Sequence, residues 1–410
     1  MRKNLVRVGA VVAGLALLAA ACGDDDDDSS SGAATTAAGA ATTAAGAATT
    51  AAGGAATTAA AGGATCENLT IASFQALTGE AAGLGEPIKN GAELAINEFN
   101  EANPDCQIKF QPEDSQGSPD QAPGLAKKLV DQSDVIGVVG PAFSGESKNA
   151  GPTFAAANLV TITPSATNVD LSKNGWKTFH RLLATDATQG AGIARYIQNT
   201  VKPTKVAVID DASTYGMGLG DIDRSEQGAT VAVSDVIDPK GSDYSAAVTK
   251  VKDSGADTVF FGGYYEAAGR LAKQLKDAGI DAQFISGDGS KDDGFMAAAG
   301  AAAEGAILTC TCAPAEALEK GADFVTAYTE AYDLAPGTYA AESFDSANFL
   351  LAGIAAGNTD RESLLEYINS TTFPGITKDV EFDETGEVTS TAVYSFIVKD
   401  GKIVGEGLIE

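Results

Sequence analysis

The stretch LTIASFQALTGEAAGLGEPIKNGAELAINEFN, Leu69–Asn100, decides the fold. It opens on a short β-branched, apolar run, Leu69–Phe74. After it Ile88, Ala92, Ala95 and Phe99 recur at i, i+4, i+7 and i+11, which is one face of a helix. A second apolar run, Ile108–Phe110, follows. Strand, helix, strand is a βαβ unit, with parallel strands in a sheet covered on both faces. The rhythm continues outward through Val135–Val139, Val160–Thr163, Val206–Ile209, Val231–Val236, Thr258–Phe261, Phe284–Ser286 and Ala306–Leu308. Helical stretches such as Tyr244–Ser254 and Ala267–Ala278 lie between. Nine such strands crowd a single open sheet, so the expected α/β architecture is two doubly wound parallel-sheet lobes. Towards the end the rhythm breaks. Helical Phe324–Tyr332, Ser346–Ala356 and Ser363–Asn369 precede Tyr394–Val398 and Ile403-Val404, joined by Asp400-Gly401, which reads as a hairpin turn.

Upstream, Met1–Arg7 carries Arg2, Lys3 and Arg7, and the uncharged run Val8–Ala21 follows. Its 14 residues fall short of the ~20 a membrane-spanning helix needs and suit the apolar region of a signal peptide. Cys22, directly after Leu17-Leu18-Ala19-Ala20-Ala21, resembles the cysteine of a bacterial lipobox, with Ala19 where a lipobox usually has Leu. The other reading is an ordinary secretory signal cut nearby. Residues 1–21 are thus expected to be a lipoprotein signal peptide. Residues 22–65 hold Asp24–Asp28 and an Ala/Thr/Gly tract in which GAATTAA recurs three times from Gly32. No large apolar side chain offers a coiled-coil seam there. The tract reads as a flexible tether with a mean reach of ~35 Å.

The 410 residues carry 27 Lys and Arg against 55 Asp and Glu, a formal charge of −28. Such a surface repels phosphate backbones, so nucleic acid is not an expected partner. His180 is the single histidine, which excludes multi-histidine metal sites and weakens the case for a His-based triad. Neither a metal nor a cofactor is expected. Of the five cysteines, Cys22 is assigned to lipid, leaving an even four for the folded part. Cys66 precedes the first apolar run and Cys106 the second, so neighbouring parallel strands would bring both to one sheet edge. A disulfide between them is expected, with Cys310 and Cys312 bonded to each other.

Ligands of such folds bind beyond the carboxyl ends of the strands. After Val135–Val139 comes GPAFSGES, Gly140–Ser147, opening a helix; after Val160–Thr163 comes PSATN, Pro164–Asn168. Free N–H groups and hydroxyls at a helix start suit an anion such as a carboxylate. Capping by Ser144 or Ser147 is the alternative. Asp210–Gly220 has spaced glycines, but their GxGxG pattern lies too far from its strand, and beside too many acids, for a dinucleotide loop. Asp210 and Asp211 could pair as catalytic carboxylates, yet no placed nucleophile and base accompany them, so an enzyme is not expected.

Taken together, Leu77–Asn100, Val135–Ser147, Thr161–Ser172, Phe179–Gly190, Thr214–Gly220, Phe260–Gly269, Phe284–Gly289 and Tyr339–Ser346 resemble, in order, the Leu/Ile/Val-binding branch of the type I periplasmic binding proteins, receptors of ABC transporters. The resemblance implies two lobes joined by a three-strand hinge, with crossings near Leu183, Thr311 and Thr391. Residues 66–183 and 312–390 would form lobe 1, and 184–311 with 391–410 lobe 2. It further implies that Ser144 and nearby N–H groups hold a ligand carboxylate, and that Thr167, in the segment Ser165-Ala166-Thr167, helps hold both ligand ends. The Ser165 carbonyl and Asp288, where relatives often have Glu, would receive the ammonium. Tyr215, Tyr264, Tyr339 and Leu84 would face the side chain. By itself each tyrosine could equally be ordinary packing, and His180 reads as structural. The function implied is an extracytoplasmic binding lipoprotein, monomeric and lipid-anchored to the outer face of the cytoplasmic membrane. It would deliver a free amino acid, branched-chain or otherwise apolar, to ABC permease membrane subunits. The alternatives are a ligand-sensing lobe, or a binder of a small amide or aromatic acid.

Overall fold

A computed structural model describes residue 66, residues 68–389 and residues 392–409. The signal segment, Cys22, the tether and the crossing near Thr391 lie outside the described residues. Five parallel strands form the first sheet: β1 (Thr70–Gln75), β2 (Lys109–Asp114), β3 (Val135–Val139), β4 (Val160–Thr163) and β5 (Phe179–Arg181), in the order β2-β1-β3-β4-β5. The second sheet repeats that order with β6 (Val206–Asp210), β7 (Val231–Val236), β8 (Thr258–Gly262), β9 (Gln283–Ser286) and β10 (Ile307–Cys310) as β7-β6-β8-β9-β10. After a two-stranded pair, β11 (Phe373–Pro374) with β12 (Asp379–Val380), the second sheet is extended by antiparallel β13 (Tyr394–Lys399) and β14 (Lys402–Leu408). Asp400 and Gly401, at φ 52° and 69°, make the two-residue turn expected between them.

The helices are α1 (Ala82–Ala102), α2 (Ala122–Val130), α3 (Ser144–Ala156), α4 (Asp186–Tyr196), α5 (Thr214–Gln227), α6 (Ser245–Ser254), α7 (Tyr265–Asp277), α8 (Asp293–Ala299), α9 (Gly321–Tyr332), α10 (Ala340–Ala355) and α11 (Arg361–Ser370). Strand alternation sends Ile71 of β1 into a core with Ala92 and Ala95 of α1 and Leu350 of α10, while Ala72 and Phe74 pack on Leu129 of α2 and Phe154 of α3. The second sheet does the same. Ala207 and Ile209 join Val251 and Leu271, whereas Val206 and Val208 join Ile193 and Leu219. Each large aliphatic chain buried this way contributes about 1.5–3 kcal/mol. Helices α1 and α10 approach closely because Gly91 has no side chain; a Cβ there would run into the Ala340 carbonyl. The chain passes from the first sheet to the second between β5 and α4, and returns after β10.

Two differences from the sequence expectation have physical causes. The second strand runs Lys109–Asp114 rather than Ile108–Phe110, because β2 is an edge strand and its later residues need not be apolar. Strand β5 was hidden by its own composition, for His180 and Arg181 are both fully buried. Arg181 is neutralised there by Glu387, with Nε to Oε2 at 2.9 Å and a second contact from Nη2. Its Nη1 donates to the carbonyls of Ala166 and Asn168 at 2.9 and 2.8 Å. His180 is structural: its ring nitrogens meet the Thr161 carbonyl and Asn369 Oδ1 at 3.2 and 3.0 Å.

Cys66 and Cys106 are joined with an S–S distance of 1.93 Å, and Cys310 and Cys312 with 1.94 Å. The first closes a 40-residue separation, which the chain-entropy estimate values at about 4 kcal/mol. The second closes almost no loop and sits, buried, where the chain leaves β10.

Candidate functional site

The carboxyl ends of both sheets face one narrow cavity, lined by Leu84, Ala142, Phe143, Ser144, Ser165, Tyr215, Tyr264, Gly289 and Tyr339. The lobes meet around it. Gly83 N–H donates to Tyr265 Oη at 3.1 Å, Asn168 Nδ2 donates to the Thr214 carbonyl at 2.8 Å, and the Phe143 and Tyr264 rings meet edge-on at 5.4 Å.

On the first-lobe side the wall is polar at the start of α3. Gly140, at φ 116°, turns the chain from β3 into the loop before the helix, a conformation that favours glycine. Phe143 then stands at the N-cap position in extended backbone, so the N–H groups of the first turn have no helical partners. Ser144 Oγ accepts from Asn168 N–H at 3.2 Å, which leaves its own proton free to donate. Ser165 Oγ is occupied, donating to the Ala142 carbonyl at 2.6 Å. Glu146, in the first turn of the helix, is pushed up to about 8 by burial, so it stands neutral beneath these donors.

On the second-lobe side, Asp288 follows β9 in a short turn and is fully buried. Tyr215 Oη donates to its Oδ1 at 2.6 Å. With its amide nitrogen turned towards the carboxylate, Gln189 donates to Oδ1 at 3.0 Å and accepts from the Asp288 N–H at 3.3 Å. Oδ2 closes no hydrogen bond, although the Tyr339 hydroxyl lies alongside. Burial raises the Asp288 pKa against the pull of these hydroxyls and the amide. Tyr339 caps α10 in the left-handed region at φ 70°, ψ 1°, costing about 1–3 kcal/mol that its surroundings must offset.

Of the nine residues singled out in the sequence, Leu84, Ser144, Ser165, Tyr215, Tyr264 and Tyr339 are on the cavity wall. Ala166, Thr167 and Asp288 are buried but not on the wall. The Ala166 carbonyl is taken by Arg181, and one Asp288 oxygen by Tyr215. Sequence reasoning passed over Ala142, Phe143 and Gly289 on the wall, and Asp186 and Gln189 behind it. Asp186 begins α4 with both carboxyl oxygens buried and unpaired. The Thr167 hydroxyl lies beside it without closing a hydrogen bond. Burial first, and the Asp288 charge second, push Asp186 up to about 8. The segment LLATDATQG contained the signal, but read alone it is an acid in the first turn of a helix, where acids are common.

Such a site has the shape and polarity to bind a small ligand. Its donors for an anion and its acceptors for a cation stand on opposite lobes, with aromatic and aliphatic surface between. The Leu/Ile/Val-binding protein BraC3 of Rhizobium johnstonii is 31% identical over 347 residues, covering 82% of this chain and 93% of that protein. A leucine-, isoleucine-, valine-, threonine- and alanine-binding protein of Pseudomonas aeruginosa is 30% identical over 328 residues, covering 78% and 87%. The branched-chain amino acid transporter substrate-binding protein LivJ of Streptococcus pneumoniae, solved in complex with isoleucine, superposes with a TM-score of 0.77 at 27% identity, covering 83% of this chain and 98% of that one. The periplasmic binding protein family matches residues 68–402, a span that takes in every parallel strand and the whole cavity, and the chain belongs to that family.

Proposed function

We propose that the protein is the extracytoplasmic receptor of an ABC transporter, gripping a free amino acid with an uncharged, apolar side chain between its lobes and presenting it to the permease. The observation that carries this reading is the opposed polarity of the two sides, donors on the cavity wall facing an acid just behind the other wall. Ser144 and the first N–H groups of α3 offer donors on one lobe, while Asp288 offers an unpaired oxygen on the other. A zwitterion satisfies both. A ligand lacking one end leaves a buried polar group unpaired at about 1–3 kcal/mol, and more for a charge. Thr167 and the Ser165 carbonyl complete the two poles, with Asp186 as a second acid behind Thr167. Leu84, Phe143, Tyr215, Tyr264 and Tyr339 supply an uncharged surround for the side chain. The amino acids for which these relatives are named point the same way.

Residues 66–183 with 312–390, and 184–311 with 391–410, would be the two moving bodies. Contacts split between them favour closure on the ligand. Cys22 would carry the lipid that anchors the mature chain, with residues 22–65 as its tether. Calorimetry against a panel of amino acids, small amides and aromatic acids tests the site. Apolar amino acids should bind the parent, and Asp288→Ala and Thr167→Ala should lose most of that binding with the fold intact by circular dichroism. Parent-like binding by both variants, or preference of the parent for a ligand without an amino group, would overturn the reading.

A further inference from the structure

We propose that Lys291 and Thr338 form a latch between the lobes, a positioning pair that strengthens ligand binding without touching the ligand. The proposal rests on the reading that the lobes close around a ligand. Lys291 ends the turn that carries Asp288 after β9, and Thr338 leads into α10, which packs on α1 against the first sheet. The Thr338 hydroxyl donates to the Lys291 carbonyl at 2.6 Å and accepts from Lys291 Nζ at 3.1 Å. A single hydroxyl therefore uses both its donor and an acceptor site on one residue of the opposite lobe. The Lys291 ammonium stands 4.4 Å from the ring centroid of Phe396 in β13, a second-lobe surface that steadies it. The acids facing it are Glu342, Glu316, Asp288 and Asp292. Thr338 is 8% exposed, so its partners are largely shielded from competing water.

Neither residue lines the cavity, yet Lys291 is three positions along the chain from Asp288. A ligand that holds Asp288 holds the same turn in the register at which Lys291 meets Thr338. In an open form the two groups would be hydrated apart, so their bonds belong to the closed state and weight the equilibrium towards it. With one bond from an ammonium, the pair is expected to raise apparent affinity about tenfold.

The test compares the parent with Thr338→Val, Thr338→Ser and Lys291→Met. Spin labels at Lys148→Cys and Lys276→Cys, both exposed and on helices of opposite lobes, report the lobe separation without ligand, in a Cys22→Ala background. Calorimetry reports affinities across the amino-acid panel. Thr338→Val should shift the unliganded distances longer and weaken every bound amino acid about tenfold without reordering them. Thr338→Ser should restore both readouts, and Lys291→Met should behave like Thr338→Val. Parent-like distances and affinities within about twofold for Thr338→Val would overturn the latch, and so would a reordered ligand preference, which would mean direct contact. Should Lys291→Met fail to fold, the two Thr338 variants still decide. If the parent binds no amino acid, the proposed function falls while the distances still judge the latch.

Discussion

Binding should expel a proton. In the unliganded site the Asp186 pKa stands at about 8, raised by burial and then by Asp288, against the smaller opposing pull of Thr167 and Arg181. At pH 7 such a group holds about nine-tenths of a proton. An ammonium arriving at the Asp186–Asp288 pair stabilises the carboxylate and draws the pKa back towards its ordinary 3.8. Entry of the ligand cation therefore releases close to one proton at neutral pH. Affinity should rise with pH by a factor approaching ten per unit, or about 1.4 kcal/mol, and flatten above about 8, where Asp186 is already ionised before binding. The unliganded fold carries the opposite dependence. Its folded state keeps a proton that the unfolded chain gives up, so stability declines as pH climbs from the ordinary carboxyl range towards about 8. Calorimetry between about pH 5.5 and 7.5, in buffers of different ionisation enthalpy, measures both the slope and the protons released. Asp186→Asn should flatten the profile and abolish the buffer dependence. A parent whose affinity is constant over that range, with the same enthalpy in every buffer, would refute the argument.

Glu387→Ala should destabilise the fold by about 3–5 kcal/mol in denaturant unfolding, because it strands the fully buried Arg181 guanidinium with only two carbonyls for partners. A shift under about 1 kcal/mol would mean that water reaches Arg181 and replaces the carboxylate. Fractionation should find the parent with membranes and Cys22→Ala in the soluble fraction, since two acyl chains are needed for stable anchoring; a variant that stays with membranes places the anchor elsewhere.

The parallel strands announced themselves where both faces are buried, as in Val135–Val139 and Val206–Ile209, because burial demands uninterrupted apolar residues. Strand β5 did not, since its Arg181 is balanced by a residue 206 positions away, and no local pattern encodes such a partner. The same limit applies at the site. Ser144 and Tyr264 follow within five residues of apolar runs and could be placed near strand ends by counting. Asp186 and Gln189 lie on a helix whose docking against Asp288 arises only once the second sheet has formed. The Lys291–Thr338 pair spans 47 positions across the cleft and leaves no trace in periodicity.

Strand β13 pairs antiparallel with β10, Ile307 opposite Ile397 and Cys310 opposite Tyr394, although helices α9, α10 and α11 and the β11–β12 pair intervene along the chain. A ribosome releasing this chain from its first residue would thus have emitted ten parallel strands before the segment that completes the second sheet exists. Helix α10, which covers β1 and α1, is late as well. Contacts this distant along the chain are slow to form, so completion of the second sheet waits on β13 and β14, the last elements to leave the ribosome.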